Sequence, residues 1–341
     1  MSLEKRAERS LLLGEELNWE GWEQLFVKIF RGRMEVENVR NLLLLLRRRG
    51  ERATELLGCV RAVRRLECPS RVEFSSVIDV CGTGGDGLQS FNISTVSAFV
   101  IAGAGGYVAK HGNRAVSSRV GSSDLMEALG IRLEIPFRQM LTALGKCHMA
   151  YFHAPLYHRS FAAVRKIRED LGVRTIFNLL GPLVNPVDLK FQMIGTSNQE
   201  WLEPLAIVLR RLGRRRAAVF RSNDGLDELS TYETNDILYV DSGGISQSRL
   251  SPRKLGFYKA GRSDYAGGDL ETNREIALAI IQGRAVGPRQ DVVLLNSGVA
   301  LWLTGLCGSV SEGVERSRWA IRTGRAAQVL NSLRYFTNRR N

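Results

Sequence analysis

The sequence predicts an α/β fold, in which a small N-terminal α-helical domain precedes a large α/β domain with a mainly parallel central sheet. Two observations lead to this prediction. Residues 15–65 carry apolar residues at helical spacing, and from residue 75 onward strand-like runs alternate with helical segments, as in βαβ units. We expect residues 1–70 to form the helical domain, joined by part of 170–190, and residues 71–341 to form the α/β domain.

Three helices are predicted in the N-terminal part, each ending near a glycine or proline that stops the helical pattern. They lie in GWEQLFVKIFRG, VENVRNLLLLLRRRG and RATELLGCVRAVRRL, and ECPSRVEF is predicted to link them to the α/β domain. A later segment, RTIFNLLGPLVNP, is predicted to form a helix and then a proline-containing loop that reaches back to the helical domain.

Six strands are predicted in the α/β domain, in the runs SSVIDV, GYVAKHG, CHMAYFHA, FQMIGT, RAAVFRS and ILYVD. Short apolar runs rich in β-branched residues are typical of buried strands. Open parallel sheets bind ligands beyond the carboxyl ends of their strands. The polar residues that follow these runs are therefore the candidates for a site.

The composition, with 44% hydrophobic and 8% aromatic residues, is typical of a globular protein. No run approaches the roughly 20 apolar residues that span a bilayer, and the first residues do not resemble a signal peptide, so we expect a cytoplasmic protein. The five cysteines include no C-x-x-C pair, which argues against a disulfide framework and a zinc site. Cys81 lies beside a glycine-rich loop and could be a nucleophile, but no partner pattern supports this and a packing role is favoured.

The net charge of +13 has three interpretations. The arginines within residues 210–216 could form a nucleic-acid surface, they could form a solvated helix face, or the whole charge could attract a polyanionic small substrate. The run contains no interleaved aromatic residues, so the second and third interpretations are favoured together.

The stretch DVCGTGGDGLQSFNIST contains Gly82, Gly84 and Gly87 in the G-x-G-x-x-G spacing of dinucleotide-binding loops. Such a loop should enter a helix at once and meet an acidic residue about 20 positions later. Here polar residues 89–95 delay the helix, and the next strand ends in cations rather than an acid. Asp86 would also repel a pyrophosphate unless it faces sugar hydroxyls or a bridging metal ion. These features favour a phosphorylated sugar bound with a metal ion.

Three polar clusters follow predicted strands. In the first, glycines let backbone amides approach phosphate, and Asn92, Ser94 and Thr95 are expected to cap the next helix, whose N-terminus also attracts anions. The second, KHGNRAVSSRVGSSD, offers the charge of Lys110 and several serine hydroxyls, although a serine-rich surface loop would look similar. In the third, SNDGLDELS, Asp227 and Glu228 need a cation beside phosphate and suit Mg²⁺, although an ordinary acidic turn would look the same.

A further group lies in YHRSFAAVRKIR. Arg168 could hold a carboxylate through two parallel hydrogen bonds, with His158 in the same pocket. From spacing alone, Arg165, Lys166 and Arg168 would more simply form a solvated helix face.

Taken together, the motifs GTGGDG, FNIST, KHGNR, SS-x-x-GS-x-D, RTIFNLLGPL-x-NP and DGLDELS resemble those of the anthranilate phosphoribosyltransferase family, in order, from about Gly14 to Phe336. The resemblance implies 5-phosphoribosyl 1-pyrophosphate as donor, anthranilate as acceptor, Mg²⁺ as cofactor and a homodimer built through the helical domains. A pyrimidine nucleoside phosphorylase, which shares the fold, and a non-catalytic relative that binds nucleic acid are the alternatives. No membrane partner is expected.

The resemblance also implies site residues, although no catalytic residue is assigned. The donor would contact Gly82, Gly84, Gly85, Asp86, Ser90, Asn92, Ser94, Thr95, Lys110, Ser118 and Ser122; the acceptor would contact Gly82, His111, Asn113, His158, Arg168 and Gly181; and the metal ion would contact Ser94, Asp227 and Glu228. Two departures from the family pattern stand nearby. Arg159 replaces a proline beside the acceptor residues, and Arg221 with Ser222 replaces His-Gly before the acidic turn.

Overall fold

The computed structural model describes residues 1–15, 17–67, 74, 76–85, 87–115, 119–258 and 260–339. Its N-terminal part consists of helices, of which the first begins before the predicted helical region. Helix α2 is capped by the side chain of Asn18, which accepts a hydrogen bond from the amide of Gly21. The bounds are α1 Leu3–Leu13, α2 Trp19–Phe30, α3 Val36–Arg49 and α4 Ala53–Glu67.

The central sheet has seven strands within the described residues, in the order β3-β2-β1-β4-β5-β6-β7. Strands β1 to β5 pair in parallel, and β6 and β7 continue the sheet antiparallel, so the mainly parallel sheet is confirmed. Strand β7 was not predicted, because most of its side chains are exposed and it has no apolar run. The bounds are β1 Val77–Gly82, β2 Tyr107–Gly112, β3 Met149–His153, β4 Phe191–Gly195, β5 Arg216–Ser222, β6 Asn235–Asp241 and β7 Gly244–Leu250.

Helices cover both faces of the sheet. The helix expected within RTIFNLLGPLVNP is only one turn long, because a 3₁₀ turn at Gly181–Val184 follows it directly. The bounds are α5 Ile93–Gly103, α6 Ser122–Ala128, α7 Phe137–Cys147, α8 Ala154–Tyr157, α9 Ala162–Leu171, α10 Phe177–Leu180, α11 Leu202–Arg211, α12 Leu270–Ile281, α13 Pro288–Leu303, α14 Val310–Arg322 and α15 Arg325–Asn338.

Two apolar clusters form the interior. One lies on the sheet face covered by α5 and α13, while the other runs without interruption from the N-terminal helices, through α11, to the opposite sheet face. In this second cluster Leu43 of α3 and Phe26 of α2 share an interior with Val219 of β5. Helix α9 packs on α2 and α3, and α10 packs on α4. No helix in the described part of the chain is long and apolar enough to cross a membrane.

Candidate active site

The ends of β1 and β4 leave room for the acidic turn. A Cβ atom on Gly82 would lie 2.7 Å from Cγ of Asp227, and one on Gly195 would lie 2.6 Å from the carbonyl carbon of Asp227. Real Cβ atoms do not approach other atoms so closely. Glycine at these two strand ends therefore allows Asp227 to reach the sheet edge.

The acidic pair engages two backbone amides. Asp227 Oδ2 accepts a hydrogen bond of 2.7 Å from the amide of Gly84, and Glu228 Oε1 accepts one of 3.1 Å from the amide of Ser94. Both acidic residues are nearly buried. The turn before them is shaped by Asp224, whose carboxylate accepts hydrogen bonds from the amide of Leu226 and, at 2.6 Å, from Ser230 Oγ.

Lys110 brings a buried positive charge to the same place. It is 2% exposed, and its Nζ donates to the carbonyl of Val80 at 2.8 Å and to Ser94 Oγ at 3.3 Å. Beneath it, burial raises the pKa of Asp79 while the charge of Lys110 lowers it, with a net rise. Lys110 of β2 thus contacts both β1, through Val80, and the start of α5, through Ser94. A position near the end of a strand, as predicted, allows both contacts.

The side chains at the start of α5 do not cap it as expected. Asn92 occupies the N-cap position, but its side chain makes no capping hydrogen bond and its Nδ2 donates to the carbonyl of Val120 instead. Ser94 and Thr95 lie within the helix, and Glu228 accepts from the Ser94 amide in place of a local cap. Asn92 Oδ1 and Thr95 Oγ1 are buried polar atoms without a hydrogen-bond partner in the described structure. Such atoms at a helix N-terminus are suited to a polar ligand.

The second predicted cluster is tied to β3. Ser122 Oγ lies 2.9 Å from the hydroxyl of Tyr151, which lies 2.8 Å from Ser123 Oγ, and Ser123 Oγ lies 2.8 Å from His153 Nδ1. Ser90 lies farther along the glycine-rich loop, where it forms a bridge with Ala266. The predicted donor residues Asp86 and Ser118 lie outside the described residues.

The predicted acceptor residues His111 and His158 form a buried pair. Their Nε2 atoms are 3.1 Å apart, and the two rings are nearly perpendicular, at 87°. His111 Nδ1 lies 2.9 Å from the carbonyl oxygen of Gly181. Burial, assisted by the neighbouring His158, lowers the pKa of His111 to about 3. His111 is therefore neutral near pH 7.

Arg168 lies in the last turn of α9, and successive ring contacts through Phe177 and Phe161 connect it to His158. Its guanidinium carbon is 5.9 Å from the ring centre of Phe177, and the ring of Phe161 lies 6.1 Å from Phe177 and 6.0 Å from His158. Burial lowers the pKa of Arg168, which nevertheless remains a cation near pH 7. Arg168 is half-buried, whereas Arg165 and Lys166 are exposed, so the interpretation as a solvated helix face holds for those two residues but not for Arg168. Asn113 is exposed, and its Oδ1 accepts from the amide of Arg114.

Two residues near the site were not singled out from the sequence. Arg174 stacks on Trp201, with the guanidinium 4.6 Å from the ring centre, and its Nη2 donates to the carbonyl of Gly84 at 3.0 Å. Glu67, the last residue of α4, lies 3.0 Å from His158 Nδ1. Arg174 lies in the RTIFN motif, but its spacing does not predict a contact with the glycine loop. No sequence pattern around Glu67 predicts its contact with His158.

The arginine run and Cys81 have roles within the fold. Arg214 is buried and donates to Gln192 Oε1 at 2.9 Å, while Arg216 stacks on Trp302 at 4.6 Å. These two arginines are thus used within the protein, which weakens the nucleic-acid interpretation. Burial raises the pKa of the Cys81 thiol well above its ordinary value, so the thiolate that a nucleophile needs is disfavoured.

At the two departures from the family pattern, the structure shows an exposed arginine and contacts to Gln199 and Leu226. The side chain of Arg159 is exposed, and Arg221 Nη1 donates to Gln199 Oε1 at 3.0 Å. Ser222 is buried, and its amide donates to the carbonyl of Leu226 within the turn. The acidic turn is therefore held by its own residues.

The residues predicted for the metal ion offer two carboxylates and a hydroxyl. The amide hydrogen bonds described above hold Asp227 against the glycine loop and Glu228 against Ser94. Such hard oxygen donors are the ligands that Mg²⁺ prefers, and Mg²⁺ commonly uses one or two carboxylates together with substrate oxygens. The residues present fit Mg²⁺.

Comparison with known proteins identifies a matching protein family. The family model "Glycosyl transferase family, a/b domain" matches residues 75–327. An anthranilate phosphoribosyltransferase of Exiguobacterium sibiricum is 41% identical over 317 residues, which are 93% of this chain and 93% of that protein. One of Persephonella marina is 38% identical over 331 residues, which are 96% of this chain and 97% of that protein.

Solved structures of anthranilate phosphoribosyltransferases also superpose closely on this chain. Anthranilate phosphoribosyltransferase of Thermus thermophilus superposes with a TM-score of 0.91 at 36% identity, covering 98% of this chain and 100% of that one. The enzyme of Saccharomyces cerevisiae, solved in complex with PRPP and Mg, superposes with a TM-score of 0.90, covering 98% of this chain and 97% of that one. At 23% identity, this second likeness concerns the fold alone.

Proposed function

The chain belongs to the anthranilate phosphoribosyltransferase family, and from this premise we infer how its residues divide between donor and acceptor. The enzyme is a glycosyltransferase. It transfers the 5-phosphoribosyl group from 5-phosphoribosyl 1-pyrophosphate to the amine of anthranilate and releases pyrophosphate, a step of tryptophan biosynthesis. The observation that best supports our division is that the glycine loop, Lys110 and the acidic pair meet at one sheet edge, while His111, the residue after Lys110, forms a buried pair with His158.

The donor half of the site is the edge formed by β1, β2 and the start of α5. Cleavage of the bond to pyrophosphate leaves negative charge on the leaving group, which needs fixed cations and amides nearby. Lys110 supplies the cation, and the amides of Gly84 and Ser94, which donate to Asp227 and Glu228 in this structure, would supply donors once they exchange partners. The residues proposed to contact the donor are Gly82, Gly84, Gly85, Asp86, Ser90, Asn92, Ser94, Thr95, Lys110, Ser118 and Ser122.

Ser94, Asp227 and Glu228 would hold Mg²⁺, because they offer the oxygen ligands described above. When bound, Mg²⁺ would stabilise negative charge on the pyrophosphate oxygens. Ser94 belongs to both groups, since its hydroxyl accepts from Lys110 and its amide donates to Glu228. This shared residue joins the metal ligands to the donor residues.

The acceptor half consists of Gly82, His111, Asn113, His158, Arg168 and Gly181. An aromatic amine is already a neutral nucleophile near pH 7, so its attack depends mainly on position and on the exclusion of water. Arg168 would hold the carboxylate of anthranilate through charge-assisted hydrogen bonds. No residue is assigned as a general base.

Purified protein mixed with 5-phosphoribosyl 1-pyrophosphate, Mg²⁺ and anthranilate should consume anthranilate fluorescence and release one pyrophosphate for each acceptor used. Replacing Arg168 with alanine should raise KM for anthranilate about 100-fold, because a charge-assisted contact is lost, and leave KM for the donor unchanged. Arg165→Ala is the matched control, because Arg165 stands one turn away on the same helix and is exposed. Equal effects of the two changes would contradict the role of Arg168.

A nucleoside phosphorylase is not favoured, because the relatives that share 36–41% identity with the chain carry the transferase name. Phosphate-dependent cleavage of thymidine or uridine would revive this alternative. Salt-sensitive binding of nucleic acid without transfer would favour the non-catalytic one.

A homodimer formed through the helical part is also proposed. Exposed apolar side chains on α1 and α3 support it, since Leu12 is 58% exposed, Leu13 65% and Val36 55%. Sedimentation equilibrium should give twice the single-chain mass of 38.0 kDa, and Leu13→Glu should shift the population toward the single-chain mass without unfolding the protein. A wild-type protein that sediments as single chains would contradict the dimer.

We also propose a domain division and a cellular location. The packing of α10 on α4 supports a helical domain of residues 1–70 joined by part of 170–190, with residues 71–341 as the phosphoribosyl-binding α/β domain. Limited proteolysis would test this division through cleavage near residue 70. A cytoplasmic location is supported by the free thiols of Cys59, Cys147 and Cys307, and cell fractionation would test it.

A further inference from the structure

The glycine loop after β1 is held from two sides at Gly84. Its amide donates to Asp227 Oδ2 at 2.7 Å, and its carbonyl accepts from Nη2 of Arg174 at 3.0 Å. The same guanidinium packs on Gly85, where an added Cβ atom would lie 3.1 Å from Arg174 Nη2. Arg174 therefore contacts the backbone of two residues that are proposed to bind the donor.

These two glycines need such contacts to keep one conformation. Both are exposed, and both have positive φ, 72° at Gly84 and 73° at Gly85. Glycine adopts this conformation readily, but it also loses more conformational freedom on ordering than any other residue. A partner that fixes the loop before a ligand arrives lowers the entropic cost of binding that ligand.

Arg174 is itself held in place by Trp201. Its guanidinium carbon lies over the Trp201 ring, 4.6 Å from the ring centre, where the face of the indole attracts a cation. Trp201 ends the 3₁₀ turn Gln199–Trp201 and packs against the second apolar cluster. The contacts from Gly84 through Arg174 to Trp201 thus join an exposed loop to the protein interior.

The bond from Arg174 differs from the bond to Asp227 in what can replace it. A phosphate oxygen can replace Asp227 at the Gly84 amide, but it cannot replace Arg174 at the Gly84 carbonyl, because oxygen and carbonyl are both acceptors. Burial lowers the pKa of Arg174, while the charges of Asp227 and Glu51 raise it, and the net fall leaves a cation near pH 7. The bond to the Gly84 carbonyl is therefore charge-assisted and can persist when the donor binds.

We propose that Arg174 is a positioning residue for the donor, because it holds the backbone of Gly84 and Gly85 at the sheet edge through its stack on Trp201. The proposal rests on the proposed function of the donor residues. It requires no contact between Arg174 and either substrate. Loss of Arg174 should therefore weaken use of the donor and leave use of anthranilate unchanged.

Three substitutions separate this contact from the charge. Arg174→Met keeps an unbranched side chain but cannot donate to the Gly84 carbonyl. Arg174→Lys keeps the positive charge but lacks the planar group that stacks on a ring while it donates. Arg325→Met is the matched control, because the exposed Arg325 stacks on Trp319 at the same 4.6 Å. Arg325 lies beside Gly103, the last residue of α5, whereas the proposed donor residues lie at the start of that helix.

The first readout does not depend on turnover. In the full-length protein without ligands, hydrogen–deuterium exchange at the Gly84 amide should be about tenfold faster in Arg174→Met than in the wild type, because the loop loses a hydrogen bond from a charged group. Arg325→Met should exchange at the wild-type rate. An unchanged rate in Arg174→Met would overturn the proposal, whether or not the protein transfers a phosphoribosyl group. Faster exchange in a protein whose wild type transfers nothing would instead count against the proposed function.

The second readout is kinetic. Arg174→Met should raise KM for the donor about tenfold and leave KM for anthranilate unchanged, because only the donor loop is released. Arg174→Lys should stay close to Arg174→Met, and Arg325→Met should match the wild type. A wild-type KM for the donor in Arg174→Lys would show that the charge alone suffices and would overturn the proposal. Equal effects of Arg174→Met on the two substrates would overturn it as well.

Trp201 supplies the last test, since it acts only through Arg174 in this proposal. Trp201→Leu should raise KM for the donor, and adding it to Arg174→Met should raise KM no further, because both changes remove the same connection. Trp319→Leu, which removes the other stacked tryptophan, is the control, and circular dichroism would verify the fold of each variant. Effects of Trp201→Leu and Arg174→Met that multiply in the double variant would overturn the role of the stack.

Discussion

Gly195→Ala is expected to lower kcat/KM for the donor at least about 100-fold while the protein still folds. The new methyl group would overlap the backbone of Asp227, and backbone atoms cannot rotate away as the end of a side chain can. The acidic turn must therefore move, and displacement of catalytic groups by about 1 Å can cost that much in rate. Steady-state kinetics with the donor varied at saturating Mg²⁺ would measure the loss, and circular dichroism would verify the fold.

Gly145→Ala is the control for this change. Gly145 lies on the exposed side of α7, and a Cβ atom there would meet nothing within 4 Å. Alanine should leave the kinetics unchanged and raise the free energy of unfolding by about 0.5–1 kcal/mol, because glycine is unfavourable inside a helix. If the two variants had the same kinetics, the packing of Gly195 on Asp227 would have no role in catalysis.

Asp227→Asn is expected to lower kcat/KM about 100-fold at low Mg²⁺ concentration and to shift the Mg²⁺ dependence to higher concentration. Asparagine can still accept from the Gly84 amide through its oxygen, so the loop is preserved while one negative charge is lost. The variant should therefore bind Mg²⁺ more weakly, and less Mg²⁺ would be present to stabilise negative charge on the donor. Calorimetric titration of Mg²⁺ in the presence of the donor would measure the shift.

Asp236→Asn provides the comparison for Asp227→Asn. Asp236 pairs with Arg249 on the antiparallel edge of the sheet, at 2.9 Å, so its neutralisation changes the net charge equally. The Mg²⁺ dependence of this variant should remain that of the wild type. A similar shift in both variants would indicate a general charge effect rather than metal ligation by Asp227.

The parallel part of the sheet could be predicted because its strands are buried. Burial requires short apolar runs such as FQMIG and RAAVF, and the predicted bounds agree with the observed ones to within two residues. Strand β7 could not be predicted, because an exposed edge strand with the sequence GISQSRL needs only backbone pairing with β6. The one-turn length of α10 could not be predicted either, because its apolar residues continue into the 3₁₀ turn that follows.

The meeting of the polar clusters followed from topology. Neighbouring parallel strands end at the same sheet edge, so Lys110 and the glycine loop had to lie close together. Glu67 and Arg174 reach the same region from segments that are distant in sequence, and only tertiary packing brings them there. The capping expectation at α5 was wrong for a related reason, because Glu228, 134 positions away, supplies the acceptor that a local side chain was expected to provide.

The contacts of the acidic pair have a consequence for how tightly the enzyme holds its ligands. The amides of Gly84 and Ser94 already bond to carboxylates, so a phosphate oxygen that seeks them must exchange with an anion of the protein itself. In such an exchange most of the gross hydrogen-bond energy cancels, and the net gain is small. The same carboxylates can reclaim the amides once the bond is broken. We therefore expect this exchange to favour release of the pyrophosphate product.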